Sequence, residues 1–125
     1  MLLQKVNRTL CRNGKPKVAL SYLKKALELE VYRVEDWVST ASTHINICAI
    51  YSHIGKHSES AEHAELALTM LAKVDPSRLK EGEADGEKSY WNIKMLSHYN
   101  LAVELEYLKK YDDSRKQYQI AKETS

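Results

Sequence analysis

The sequence predicts an all-α fold of three antiparallel helix hairpins, and three observations carry that prediction. Phenylalanine is absent and no stretch alternates apolar and polar residues under Thr, Val or Ile enrichment, so strand signals are missing while helix formers dominate. The chain also repeats itself. A shift of 41 residues back takes Ile47, Cys48, Tyr51, Gly55, Ser60, Ala64 and Ala67 onto Val6, Asn7, Leu10, Gly14, Ala19, Leu23 and Ala26. A shift of 54 forward takes them onto Leu101, Ala102, Leu105, Lys109, Ser114, Tyr118 and Ala121. Finally, Gly14 and Gly55 fall at the centre of the first two copies, where a residue of positive φ ends one helix before the next begins.

Within each copy a large apolar residue, a small one and another large one precede the turn at helical spacing, and small residues follow it seven apart. Small side chains let two helix backbones approach, and large ones fill the space between neighbouring pairs. In chain order, the first helix is expected over 2–13, ended by Gly14, and the second over 16–30, with Pro16 at its start, where a missing N–H is harmless. The third runs over 34–54 to Gly55, and the fourth over 57–74. The stretch DPSRLKEGEADGEK, residues 75–88, is charged and rich in breakers, Gly82 and Gly86 among them, and reads as a solvated loop inserted between repeats. The fifth helix is expected over 88–109 and the sixth over 111–123, with Lys109 where the other copies have glycine. A left-handed residue there costs about 1 kcal/mol relative to glycine.

The 125 residues are 43% apolar and 29% charged, the balance of one soluble globular domain over 1–125, with repeats at about 2–30, 34–74 and 88–123. Nineteen basic residues against 17 acidic ones leave a net charge of +2, too small by itself to argue for nucleic acid or a membrane surface, and neither is expected as the partner. Cys11 and Cys48 show no CxxC pairing and are expected as free thiols in a reducing compartment. No apolar run approaches the roughly 20 residues of a membrane span, and the opening MLLQKVNRTL has no signal-peptide core, so a cytoplasmic location is expected.

Catalytic and metal chemistry find little support. His53 and His57 are four apart, but the turn at Gly55 puts them on different helices, so they do not share the face that an i, i+4 ligand pair needs. His44 and His98 occupy equivalent places in two copies and read as packing, and Cys48 fills the small-residue place that Ala102 fills in the next copy. No glycine-rich phosphate loop, GxSxG or HExxH occurs. No catalytic residue, metal or cofactor is expected.

The repeat resembles the tetratricopeptide repeat, a helix-turn-helix unit of about 34 residues that stacks into a right-handed superhelix. The second copy, INICAIYSHIGKHSESAEHAELAL, is most similar to the extended repeats of kinesin light chain, through Asn46, Ile47, Cys48, Ile50, Tyr51, Gly55, Lys56, Glu59, Ala61, Glu62, Ala67 and Leu68. The third repeats the likeness more weakly through Asn100, Leu101, Ala102, Tyr111 and Ala121. This resemblance implies a right-handed α-solenoid whose use is protein binding, in a family that serves transport, folding, polarity and ciliary assemblies. A cytoskeletal or ciliary setting is one implication.

In such stacks the first helix of every pair lines a concave groove. The candidate groove residues are Lys5, Arg8 and Arg12 on the first helix, then Ser42, Ile45, Asn46, Ala49 and His53 on the third. Leu96, Tyr99, Asn100, Val103 and Tyr107 complete the set on the fifth. One end is basic and the other aromatic, which suits a protein or extended peptide with acidic residues. Asn46 and Asn100 are the sharper feature, because an amide offers a donor and an acceptor together and can pair with a peptide backbone. Lys5 holds the corresponding place in the first copy. The clamp that related proteins use for chaperone tails needs a lysine and an asparagine where this chain has Gln4 and Arg8, so that ligand is not expected. The last helix carries Tyr111, Tyr118, Ile120 and Ala121 with no polar capping helix after it, which leads to the expectation of a longer repeat protein or of self-association through the terminal helices. The alternative is a spacer or oligomerisation element within a larger assembly.

Overall fold

The computed structural model describes residues 14–30, 36–79 and 86–125. Among them are five α-helices, one short 3-10 turn and no strand. Helix α1 is Pro16–Glu30, α2 is Trp37–His53, α3 is His57–Leu71, α4 is Gly86–Tyr107 and α5 is Tyr111–Thr124. The helix expected over 2–13 lies outside the described residues.

Local chemistry fixes most of the boundaries. Proline opens α1 one residue after Lys15. The third predicted helix starts later than 34, because the Asp36 carboxylate accepts the Ser39 N–H at 3.1 Å and caps the helix at Trp37. Leu71, not residue 74, ends α3, and Asp75 then caps the 3-10 turn Pro76–Arg78 by accepting the Ser77 N–H at 3.1 Å. Val74 and Leu79 pack against the main apolar cluster, so the beginning of the segment expected as a solvated loop is docked. Gly86, also expected in that loop, is instead the first residue of α4, buried and at φ +53°.

The two shifts read from the sequence reappear in the backbone. Helices α1, α3 and α5 begin at Pro16, His57 and Tyr111, spaced by the same 41 and 54 residues. At the α2–α3 turn, Gly55 N–H donates to the Ser52 carbonyl at 3.1 Å and Lys56 N–H to the Tyr51 carbonyl at 2.8 Å, the paired bonds of a Schellman cap. At the α4–α5 turn, Lys109 N–H donates to Glu106 at 3.0 Å and Lys110 N–H to Leu105 at 2.8 Å. Besides Gly86, the residues of positive φ among those described are Gly14 at +73°, Gly55 at +80° and Lys109 at +63°. Lys109 therefore adopts the glycine conformation with its Cβ in place.

Neighbouring helices pack α1 on α2, α2 on α3, α3 on α4 and α4 on α5, and α2 also touches α4. One apolar cluster joins Ala19 and Leu23 of α1 to Ile47, Ile50 and Tyr51 of α2. A larger one joins Val38, Ile45 and Cys48 of α2, Ala61, Ala64 and Leu71 of α3, and Tyr90, Leu101 and Leu105 of α4. Alanines with no exposure, at 19, 41, 64, 67 and 102, mark where helix backbones come close. No helix of the described residues is long and apolar enough to cross a membrane.

Candidate binding face

Matching places on α2 and α4 carry two rows of side chains. Ser42, Asn46, Ala49 and His53 follow helical spacing along α2, and the 54-residue shift lands on Leu96, Asn100, Val103 and Tyr107 of α4. Steps of four, three and four keep each row on one helix face. Ala49 and His53 are exposed, as are Leu96 and Tyr107, while Ser42, Asn46, Asn100 and Val103 are partly buried. The α2 row is small and polar, and the α4 row is apolar and aromatic. Lys5, Arg8 and Arg12 lie outside the described residues.

Tyr99 flanks the α4 row and is engaged by α5. Its ring meets Tyr118 of α5 edge-on, with centroids 5.6 Å apart and planes at 70°. Ile45, its counterpart on α2, is 6% exposed and sits in the main cluster. Each precedes a row asparagine by one residue, about 100° round the helix from it, and stands a step of four before Ala49 or Val103, so the two flank the row on the side away from the asparagines.

Asn46 carries an unsatisfied group. Among the described residues, its Nδ2 is the only buried side-chain nitrogen or oxygen of a non-exposed residue with no hydrogen-bond partner. A buried donor left unpaired costs about 1–3 kcal/mol, so native chains rarely keep one without a use. The residue as a whole is only partly buried, and a half turn about χ2 exchanges the two ends of the amide.

Beyond the far end of the α2 row lies a polar pair with one buried member. His57, at the start of α3, places Nδ1 2.5 Å from Oε2 of Glu104, whose side chain is 2% exposed. As a carboxylate Glu104 can only accept, so Nδ1 carries the proton. The His57 ring stacks on Tyr107 of the α4 row, with centroids 4.0 Å apart and planes at 6°. One copy earlier these places hold Pro16 and Ile50. The sequence carries a signal of this pair in a glutamate set in a register otherwise apolar, but none of its partner 47 residues away.

The other histidines and the cysteine are held internally. His44 and His63 bring their Nδ1 atoms to 2.9 Å across the α2–α3 turn. Burial, with His63 adding to it, pushes His44 down to about 4, and burial lowers His63 as well, so the pair is neutral at pH 7 with one ring donating to the other. His98 uses Nδ1 in the equivalent way on Gln117 Oε1 at 2.7 Å. Cys48 is 1% exposed, and burial pushes its thiol up to about 11 against the opposing Ser60 hydrogen bond, with Glu104 raising it further, which keeps it protonated and unreactive. Among the described residues no three His, Cys, Asp or Glu side chains converge as metal ligands do.

No protein-family model matches the chain, and no curated protein matches it. The face is therefore read from its own geometry: a row of amide, methyl and imidazole groups beside a row of apolar and aromatic ones, on two helices in contact. Such a face offers hydrogen bonds and apolar cover together.

Proposed function

We propose that this chain is a protein-interaction scaffold, holding an extended peptide or partner segment along the shared face of α2 and α4. In this reading the helix pairs are antiparallel hairpins stacked as a right-handed solenoid of the tetratricopeptide kind. The observation that carries it is the unpaired Asn46 amide in a row whose counterpart on α4 has Asn100 at the same place. A peptide backbone running across both helices supplies a carbonyl and an N–H to each amide in turn, and Leu96, Val103 and Tyr107 cover its apolar side chains. The basic trio Lys5, Arg8 and Arg12 favours an acidic segment at the other end.

The test is calorimetric titration of acidic and apolar extended peptides against the wild type and an Asn46→Ala, Asn100→Ala double variant. Each lost hydrogen bond is worth about 0.5–1.5 kcal/mol, so the variant binds roughly tenfold more weakly or worse. Its melting temperature should not fall through position 46, where the substitution removes a donor that has no partner. Equal affinity in a folded variant would remove the face as the site and leave the spacer or oligomerisation role in its place.

A further inference from the structure

The matching hydrogen bonds of the two turns make α2–α3 and α4–α5 comparable residue by residue, and the comparison separates two kinds of buried place. Ile47, Cys48, Tyr51, Ser60 and Ala67 are buried, and so are their counterparts 54 residues on, Leu101, Ala102, Leu105, Ser114 and Ala121. Cys48 with Ser60, and Ala102 with Ser114, join the two helices of a pair, while Ile47, Tyr51, Leu101 and Leu105 face the helices that precede it. Ile45, Ala61 and Ala64 are buried only in the earlier pair. They belong to the cluster that includes Tyr90, Leu101 and Leu105 of α4, so they form the face that α2–α3 offers to the next helix pair.

On the later pair the same face has a different chemistry. Tyr99 stands in place of Ile45 and is 48% exposed. Ala61 becomes Arg115, exposed and, among the described residues, paired with Asp112 of its own helix at 2.7 Å. Ala64 becomes Tyr118, whose hydroxyl donates to Glu106 at 3.0 Å and whose ring closes against Tyr99. Leu68, packed against the cluster, becomes the exposed Lys122. Two methyl-sized places have become a guanidinium and a phenol, and an apolar one an ammonium. Covering this face would strip water from Arg115 and Lys122 without supplying partners, and the tyrosine pair fills the space where Ala64 lets α4 approach.

We propose that the outer face of α4–α5 is a built end cap, on which Tyr99, Arg115, Tyr118 and Lys122 keep a second copy of this chain, or another helix pair of the same kind, from stacking. Self-association through α5, expected from Tyr111, Tyr118, Ile120 and Ala121 without a capping helix, does not on this proposal use this face. The inference rests on the equivalence of the two pairs and is independent of whether the α2–α4 face binds a peptide.

The experiment is sedimentation velocity over a wide concentration range on the full chain, with circular dichroism to confirm folding. The variant Tyr99→Ile, Arg115→Ala, Tyr118→Ala, Lys122→Leu restores the residues of the earlier pair. It should self-associate at least about tenfold more tightly than the wild type, since four places gain the apolar character that drives packing. A control with Lys116→Ala, Gln119→Ile and Glu123→Leu, three exposed places elsewhere on α5, should not. Charge reversal by Arg115→Glu and Lys122→Glu should leave any wild-type association unchanged. Should the four-fold variant not fold, Arg115→Ala with Lys122→Leu, both at exposed places, is measured instead and should gain association in the same direction. A folded restoring variant that behaves as the wild type, a control that associates equally, or a wild-type oligomer weakened by charge reversal would each overturn the proposal.

Discussion

Across the α2–α3 turn Ser60 donates to the Cys48 carbonyl at 2.7 Å, and across the α4–α5 turn Ser114 donates to the Ala102 carbonyl at the same distance. Around these shared bonds the two pairs diverge. The earlier has a neutral histidine couple where the later has His98 and Gln117, alanine where the later has Tyr118, and glycine at the turn where the later has Lys109. The shared bonds hold a helix pair shut, because their serines face inward whatever surrounds the pair. What differs reports on surroundings: α4 covers the earlier pair, and no described residue covers the later one.

The largest effect expected from this contrast is an exchange at one place. Ala64 has no exposure and is covered by the main cluster, so Ala64→Tyr must push α3 and α4 apart, at a cost of about 3 kcal/mol or more. Tyr118→Ala, the reverse change at the equivalent place, removes a half-buried ring from an open face and should cost about 1 kcal/mol or less. Urea unfolding of the two variants measures both. Equal costs would mean that the two places have equal surroundings and that the comparison of faces is wrong.

A smaller effect separates the pairs by pH. His44 is held at about 4 in the folded chain, below its ordinary value of 6.5. A base whose folded value is depressed contributes stability that is fully present above about pH 6.5 and is lost as the pH falls toward 4, because the unfolded chain takes up the proton first. His63→Gln copies the His98–Gln117 arrangement, in which the amide oxygen accepts from the imidazole in either protonation state. The variant should match the wild type at pH 7.5 and unfold at a lower pH on acid titration, followed by circular dichroism. An unchanged acid midpoint would show that the histidine couple does not set it.

Much of this architecture is legible in the sequence because inward-facing residues repeat. The turns at Gly14, Gly55 and Lys109 follow from one alignment, and so do the starts of α1, α3 and α5, since a left-handed residue and a small-residue stripe are local requirements. The start of α4 is not legible in that way. Gly86 looks like a breaker, and only burial of that residue and of Tyr90 reveals it as the first turn of the helix. Docking of Leu79 is hidden for the same reason, because a single apolar residue in a charged stretch carries no periodicity. On the candidate face, the row through Asn46 and Asn100 is readable at helical spacing. That Tyr99 is engaged by Tyr118 and its counterpart Ile45 by the main cluster is visible only in the packing. The His57–Glu104 contact joins residues from different pairs, and internal repetition says nothing about contacts between copies that are themselves unlike.

The finest comparison concerns the two turns themselves. Gly55 and Lys109 have φ of +80° and +63°, and the Schellman bonds around them agree within about 0.1 Å, which implies one conformation in two chemical settings. A Cβ added at Gly55 meets nothing within 4 Å, so Gly55→Ala tests backbone strain without a clash. It should cost roughly 1 kcal/mol, the left-handed penalty less the extra unfolded-state entropy that glycine brings. At Lys109 a direct change to glycine confounds two effects, because the ammonium sits at the C-terminus of α4 and opposes the negative end of its dipole, worth about 0.3–1 kcal/mol. Lys109→Ala removes the charge and keeps the Cβ, whereas Lys109→Gly removes both. The difference between those two variants isolates the backbone, and it should equal the Gly55→Ala cost, again roughly 1 kcal/mol in favour of glycine. Thermal unfolding of the three variants at low ionic strength measures every quantity required. A glycine advantage at 55 with none at 109 would show that the α4–α5 turn relaxes around its lysine, and the two turns would then share hydrogen bonds without sharing strain.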